Sequence, residues 1–394
     1  MKKRRLLLYL VGFLVVQQTC VYVRTEVIGH KDVPEVPAAF KVKQMREDDL
    51  AYRHLMDVGQ KVMQKHRGPW SEWPAESLAE YRAVNGPIFD AVDWELLTPQ
   101  MPNTGASRIP IITTMEDQLP SARPLFDVFY VGLVEAWIEG PSPRTALCLE
   151  RSVQVSGLFW ENATSLNYIM GTRADVDMAS VILEQPPNTY WIRAARHLSE
   201  RPLERAFGQA AYSEIPLAFD MYDKLYDQPD GYVTRWVNRV FGVYNRHLTK
   251  REAFDRFEHM AAAIEKPLDA YQSVSTRKLS LYETNYLGNS ILRLTSPVYE
   301  PLMHKHGLAC ILRDAMRIWI SLAEAEQPWN RESVSQLVQQ DGLTNPFNGQ
   351  RYTVDERGRL NVLPPEDTRW DGLIGKNSLF PSSRLVPHDV GSDR

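Results

Sequence analysis

The sequence predicts a mainly α protein: a multi-helix extracytoplasmic domain, preceded by one N-terminal transmembrane helix and followed by a small C-terminal β-hairpin. Three observations carry this. Apolar residues recur at helical spacing from about residue 45 to 342, and no run of period-two strands precedes residue 345. A basic cluster followed by an apolar run opens the chain. Two short alternating runs around two glycines close the patterned region, in "NPFNGQRYTVDERGRLNV" at 345–362. The expected segments are 1–24 (anchor or signal), 25–44 (tether), 45–342 (helical body with a Pro-rich loop at 98–124), 343–364 (hairpin) and 365–394 (loose tail).

Lys2, Lys3, Arg4 and Arg5 precede a stretch that is unbroken and apolar from Leu6 to Val16. Gln17, Gln18 and Thr19 interrupt it, and Val21 to Val23 resume it. Residues 6–23 make 18 in all, just enough for a helix to cross a bilayer. The four cations place that end in the cytoplasm and the body outside it. The expectation is a single-pass protein of a bacterial inner membrane, its domain in the periplasm and its membrane contact through residues 6–23. A cleaved signal peptide and a lipid-modified Cys20 remain as alternatives.

In the tether, "VPEVPAAF" carries two prolines and no helical period. The first helix of the body is expected at 45–66, with Met45, Leu55, Met56, Val62 and Met63 on one side. Trp70 and Trp73 follow. Prolines 99, 102, 110, 120 and 124 mark a long irregular connection, a kind of segment that is often functional. Pro124 to Glu139 reads as a strongly apolar helix. Ser142 is the expected N-cap of the next helix, with Pro143 at its first position. "PPN" at 186–188 marks a break. Thr249-Lys250-Arg251-Glu252 reads as a capping box opening a helix with Phe254, Phe257, Met260, Ile264 and Leu268 on one stripe. Pro267 ends or bends that helix, and Ser296-Pro297 starts another. Leu308, Ile311, Leu312, Ala315, Ile318, Trp319 and Leu322 define the strongest helical stripe. Asn330 caps a short helix with Val334, Leu337 and Val338, stopped by Gly342.

The terminal pattern specifies its own register. Gly349 can take positive φ in the turn after Asn345-Pro346-Phe347. If Glu356-Arg357-Gly358 is the second loop, Asp355 faces Arg359, Val354 faces Leu360 and Tyr352 faces Val362. A loop one residue shorter would oppose Val354 to Asn361, so the apolar pairing selects the first register. Two strands alone are marginal. Their apolar face must therefore pack, most simply on the Leu308–Glu326 helix.

Charge and cysteines exclude several functions. Without the four N-terminal cations, 41 basic residues face 49 acidic ones, a balance of −8. Such a body lacks the footprint of a nucleic-acid binder. Ten Trp, 17 Tyr and 13 Phe argue against disorder. Cys148 and Cys310 lie in apolar helical stretches, as buried free thiols or as one disulfide. With no C-x-x-C, cysteine zinc sites and thioredoxin-type redox chemistry are out.

A long helix, a short helix and "NPF-x-G-x-x-Y" resemble the end of pseudopilins and pilin-like proteins. There an Asp-Pro-Trp/Phe-Gly-x-x-Tyr motif leads into the C-terminal strands. The wider layout is similar to a family of bacterial membrane-anchored helical proteins of uncharacterised function with this pseudopilin-like ending. "NRVFGVYNRHLTKREAFDRFEHMAAAIEKP", "NYLGNSILRLTSPVYEPL" and "LTNPFNGQRYTVDERG" carry that similarity, over about residues 145–365. It implies an envelope location. Asn345 stands where the motif has Asp. The acidic Gly-rich calcium ending of some pseudopilins is missing, with only Asp367 and Asp371 nearby.

No residue is singled out as catalytic, cofactor-binding or metal-ligating, and no cofactor is expected. His304 and His306 are two apart, so they point to different sides of a helix, and His304-Lys305-His306 reads as a solvated helix end near Gly307. Ser275 and Lys278 match the S-x-x-K spacing without its companion elements. Trp70 and Trp73 read as core or interface packing, or as a ligand groove. Asn162-Ala163-Thr164 would be a glycosylation acceptor only in a eukaryotic secretory route. The expected function is a non-catalytic structural or protein-interaction role in the envelope, accessory to a secretion or pilus-type system, with an envelope protein as partner. The alternative is a periplasmic hydrolase or ligand-binding protein with its site in the Pro-rich 98–124 segment, beside the helical body.

Overall fold

The structure, a computed structural model, describes residues 33–41, 50–63, 73–97, 123–161, 164–227, 246–262, 299–361 and 385–386, and the single positions Gly12, Val16 and Leu292. Several expectations lie outside the described residues. They are the anchor apart from Gly12 and Val16, Met45, Trp70, most of the 98–124 loop, Asn162, Ala163, Ile264, Pro267, Leu268, Ser275 to Lys278, Ser296-Pro297, Val362, Asp367 and Asp371. Among the described residues, no helix is long and apolar enough to cross a membrane.

The body is mainly α. Its helices are α1 (Leu50–Lys61), α2 (Ala75–Asp90), α3 (Arg123–Glu139), α4 (Pro143–Trp160), α5 (Ser165–Glu184), α6 (Thr189–Ser199), α7 (Leu203–Asp227), α8 (Arg246–Ala262), α9 (Tyr299–Glu324) and α10 (Arg331–Gln340). Several starts follow from side chains that accept a free backbone N–H of the first turn. Ser142 accepts from Thr145 N, with Pro143 opening α4. Thr164 accepts from Asn167 N, Asn188 from Tyr190 N and Trp191 N, and Asn330 from Ser333 N. Gly342 takes φ 61° just past α10.

α3 is apolar nearly all round and is buried from Pro124 to Ala136. Such a helix needs neighbours on every side, and α1, α2, α4 and α5 supply them. α9 is the second axis, packed against α5, α6, α7 and α10. The expected stripe on α9 is buried at every named position, from Leu308 to Leu322. α1 approaches α3 so closely that a Cβ on Gly59 would overlap the Pro124 carbonyl. Before α1, the part of the tether that is described is docked on the body, with Val33, Val36 and Phe40 packed against the core.

Several expectations need correction. Met63 is 62% exposed: α1 ends at Lys61, and only Val62 of the two residues beyond it turns inward. The Thr249 capping box does not form. The helix already runs from Arg246, so Thr249 is an interior residue, fully buried. Proline does not always break a helix here, since Pro87 lies inside α2 and Pro216 inside α7.

No two-stranded hairpin ladder forms among the described residues of 343–364. Two isolated antiparallel bridges stand in its place, Thr344 with Arg351 and Val354 with Leu360. The second has the expected register, with Asp355 N donating to Arg359 O at 3.0 Å and an Asp355–Arg359 ion pair at 2.5 Å. Gly349 and Gly358 take φ 70° and 77°. The ladder stops because side chains hold the segment instead. Asp355 Oδ1 accepts from Arg357 N and Arg359 N, Tyr352 turns inward to donate to Asp314 of α9 at 3.0 Å, and Trp329 Nε1 donates to Gly358 O at 2.9 Å. Leu360–Asn361 pairs instead with Leu385–Val386, in parallel over two residues.

Candidate functional site

The polar residues that sequence periodicity passes over gather inside the bundle, around α9. His304-Lys305-His306 is not a solvated helix end. The two histidines are 2% and 4% exposed, in the interior of a 26-residue helix. Successive helical residues point about 100° apart, and here three successive side chains meet three different surroundings. The His304 ring lies 5.9 Å from Phe347 in the C-terminal turn. Lys305 feels Asp177 and Arg173 of α5. His306 lies between Tyr168 of α5 and Phe207 of α7, with ring centroids 6.1 and 4.5 Å away.

His306 is the centre of the site. The Tyr168 hydroxyl is 2.7 Å from its Nδ1, and Cys310 Sγ is 3.6 Å from its Nε2. With the tyrosine donating, Nε2 carries the ring proton and faces the sulfur. Sequence spacing explains part of this, since His306 and Cys310 are one turn apart. Tyr168, 138 positions away, had no local signal. The clue to burial was available: Leu302, Met303, Leu308 and Ile311 flank the histidines, and all are buried.

A thiol beside an imidazole is the constellation of a cysteine nucleophile, which needs a thiolate and an imidazolium. The surroundings push both groups the other way. Burial raises the Cys310 thiol to about 12, outweighing the Arg313 guanidinium. Burial lowers His306 to about 4, with Glu204 opposing that and Arg313 adding to it. Burial also holds the Tyr168 phenol well above its ordinary range. The trio is a chain of neutral groups satisfying one another inside the core, as buried polar atoms must. Cys148, on α4, is likewise a buried free thiol, raised to about 11 mainly by burial.

Several other buried charges are paired. Arg201 donates to Asp175 from Nε at 3.1 Å and to Ser156 at 2.6 Å, linking the α6–α7 junction to α5 and α4. Tyr130 of α3 donates to Asp177 at 2.5 Å, and Arg173 donates to the same carboxylate at 3.0 Å. Glu135 of α3, with a side chain 3% exposed, sits between Arg82 at 3.3 Å and Arg144 at 3.5 Å. Burial raises the pKa of Asp175, Asp177 and Glu135, and the neighbouring arginines oppose that shift. Apart from Arg173–Asp177, which lies within α5, these pairs join different elements of the bundle. Trp73 stacks edge-on against Tyr81 at 5.7 Å, in the core-packing role expected for it. Among the described residues, no group of three or more His, Cys, Asp or Glu is placed to hold a metal ion.

Comparison of the chain with protein-family models, with curated proteins and with solved structures finds no match.

Proposed function

We propose that this is a single-pass envelope protein, anchored through residues 6–23, whose helical domain lies on the far side of a bacterial inner membrane and serves a non-catalytic structural or protein-interaction role. Its partner is another envelope protein, and the "NPFNGQRY" ending, with the hairpin-like turn beyond it, makes a secretion or pilus-type assembly the setting to search first. The location rests on the Lys2–Arg5 cluster ahead of the apolar run.

The observation that carries the non-catalytic reading is electrostatic. The one thiol–imidazole contact of the described core is buried and held in its neutral form by its surroundings. Active sites shift pKa values toward reactivity, and these two shift away from it.

The test is photocrosslinking of the full-length protein in its native membrane from exposed positions such as Leu147 and Met63. Recovery of a defined envelope protein supports the reading. Recovery of background alone at every position removes the interaction role.

A further inference from the structure

We propose that Val33–Phe40 is a latch: an extended, proline-set segment that docks in a groove on α7 and fixes how far the helical body stands from the membrane. The standoff half of the proposal rests on the anchored reading above; the docking half does not.

The segment is built for this. Pro34 and Pro37 restrict the backbone, and Pro37 has φ −53° and ψ 138°, close to polyproline II. That helix has three residues per turn, so Val33 and Val36 fall on one side. A single 3-10 turn, Ala38–Phe40, then brings Phe40 inward. Val33, Val36 and Phe40 pack against the core, while Pro34, Glu35, Pro37, Ala38 and Ala39 are exposed. Prolines lower the entropy lost on docking, as in other proline-rich recognition.

α7 has a matching slot. Gly208 lies inside this helix, where glycine is unfavourable relative to alanine. A Cβ there would overlap the Phe40 ring. One turn on, Tyr212 stacks on Phe40, with centroids 5.3 Å apart and planes at 21°. The missing side chain at Gly208 is what lets the ring in.

The backbone hydrogen bonds that the segment makes among the described residues are internal, Phe40 N to Pro37 O and Lys41 N to Ala38 O. Three half-buried side chains therefore hold it, and release costs the body none of its helices. Release would change the reach. Ten peptide steps from Val23 to Val33 span at most about 35 Å. The 27 steps from Val23 to Leu50, where α1 begins, span up to roughly 95 Å.

The full chain in lipid nanodiscs tests both halves. Phe40→Ala empties the slot. Gly208→Ala fills it with a residue that favours the helix, so it does not unfold α7. Both variants should speed trypsin cleavage at Lys41 by about tenfold or more, with the thermal unfolding midpoint of the body unchanged for Gly208→Ala. Unchanged cleavage in both variants overturns the latch. A donor dye on Lys61→Cys and acceptor lipids read the standoff, and transfer should fall on Phe40→Ala. Faster cleavage with unchanged transfer overturns the standoff role. A chain that does not partition with lipid at all overturns the anchored reading, while the cleavage result still decides the latch.

Discussion

Cys310 Sγ lies 3.6 Å from His306 Nε2, one helical turn apart in the interior of α9. The distance suits a nucleophile and its base, and the environment does not. Water and counter-charge are what a thiolate–imidazolium pair needs. Tyr168, Phe207 and the apolar flank of α9 exclude water, and burial outweighs the charges of Arg313 and Glu204, so the thiol and the ring settle as neutral hydrogen-bonding neighbours.

Both described cysteines should therefore be inert to thiol reagents while the protein is folded. At pH 7.5, iodoacetamide should label Cys310 and Cys148 at least about 100-fold more slowly than a free thiol of ordinary pKa. Labelling should become complete in denaturant. Rapid native labelling of Cys310, identified by peptide mass, would contradict the assignment.

Acid should weaken the fold through the buried histidines. Burial lowers His304 and His306 to about 4, with Lys305 adding to the effect on His304. Unfolded histidine titrates near 6.5. The unfolded chain thus takes up protons that the folded one refuses. Stability is whole above about pH 6.5, declines between about 6.5 and 4 by up to ~1.4 kcal/mol per pH unit per histidine, and loses no more to these groups below about 4. The raised carboxylates Asp175, Asp177 and Asp314 act in the opposite sense, since the folded state binds their protons more readily. A difference measurement isolates the histidine share. In urea unfolding between about pH 6.5 and 5, His306→Gln should lose about 1 kcal/mol less per pH unit than the wild type. Parallel curves would count against it.

The crossing of α1 and α3 should tolerate nothing larger than glycine at position 59. In an open helix, Gly→Ala stabilises by roughly 1 kcal/mol. Here the added methyl meets the Pro124 carbonyl, a backbone group that cannot swing aside. Gly59→Ala should instead cost about 2 kcal/mol or more in chemical denaturation. A gain in stability would show that the two helices are further apart.

The C-terminal segment should depend on Gly358. Its φ of 77° is unfavourable for a side chain, and a Cβ would lie 2.7 Å from the Asn330 carbonyl carbon. Gly358→Val should cost on the order of 1–3 kcal/mol. It should speed trypsin cleavage at Arg357 and Arg359, because the Trp329 Nε1 bond to Gly358 O is lost with the turn. An unchanged cleavage pattern would remove the support for this packing.

Most of the helices were legible because burial imposes a period on apolar residues. The α9 stripe, the Ser142 and Asn330 caps and the positive-φ glycines 349 and 358 each carry a local signal. What was illegible is long-range. Glu135 reads as surface charge until Arg82 and Arg144 close around it. His306 reads as solvated until Tyr168 and Phe207 cover it. The Thr249 box failed because a capping pattern does not say whether the helix has already begun. Pairing of buried polar groups depends on which helices meet, and no short window of sequence holds that.

The location of the helical domain is what the proposed envelope role depends on most. Spheroplasts bearing the full-length protein, treated with external protease and then extracted with alkaline carbonate, test this in one measurement. The domain should be digested from outside while an N-terminal fragment stays in the membrane pellet. A domain protected until the inner membrane is broken, or a chain released whole into the soluble fraction, would contradict it.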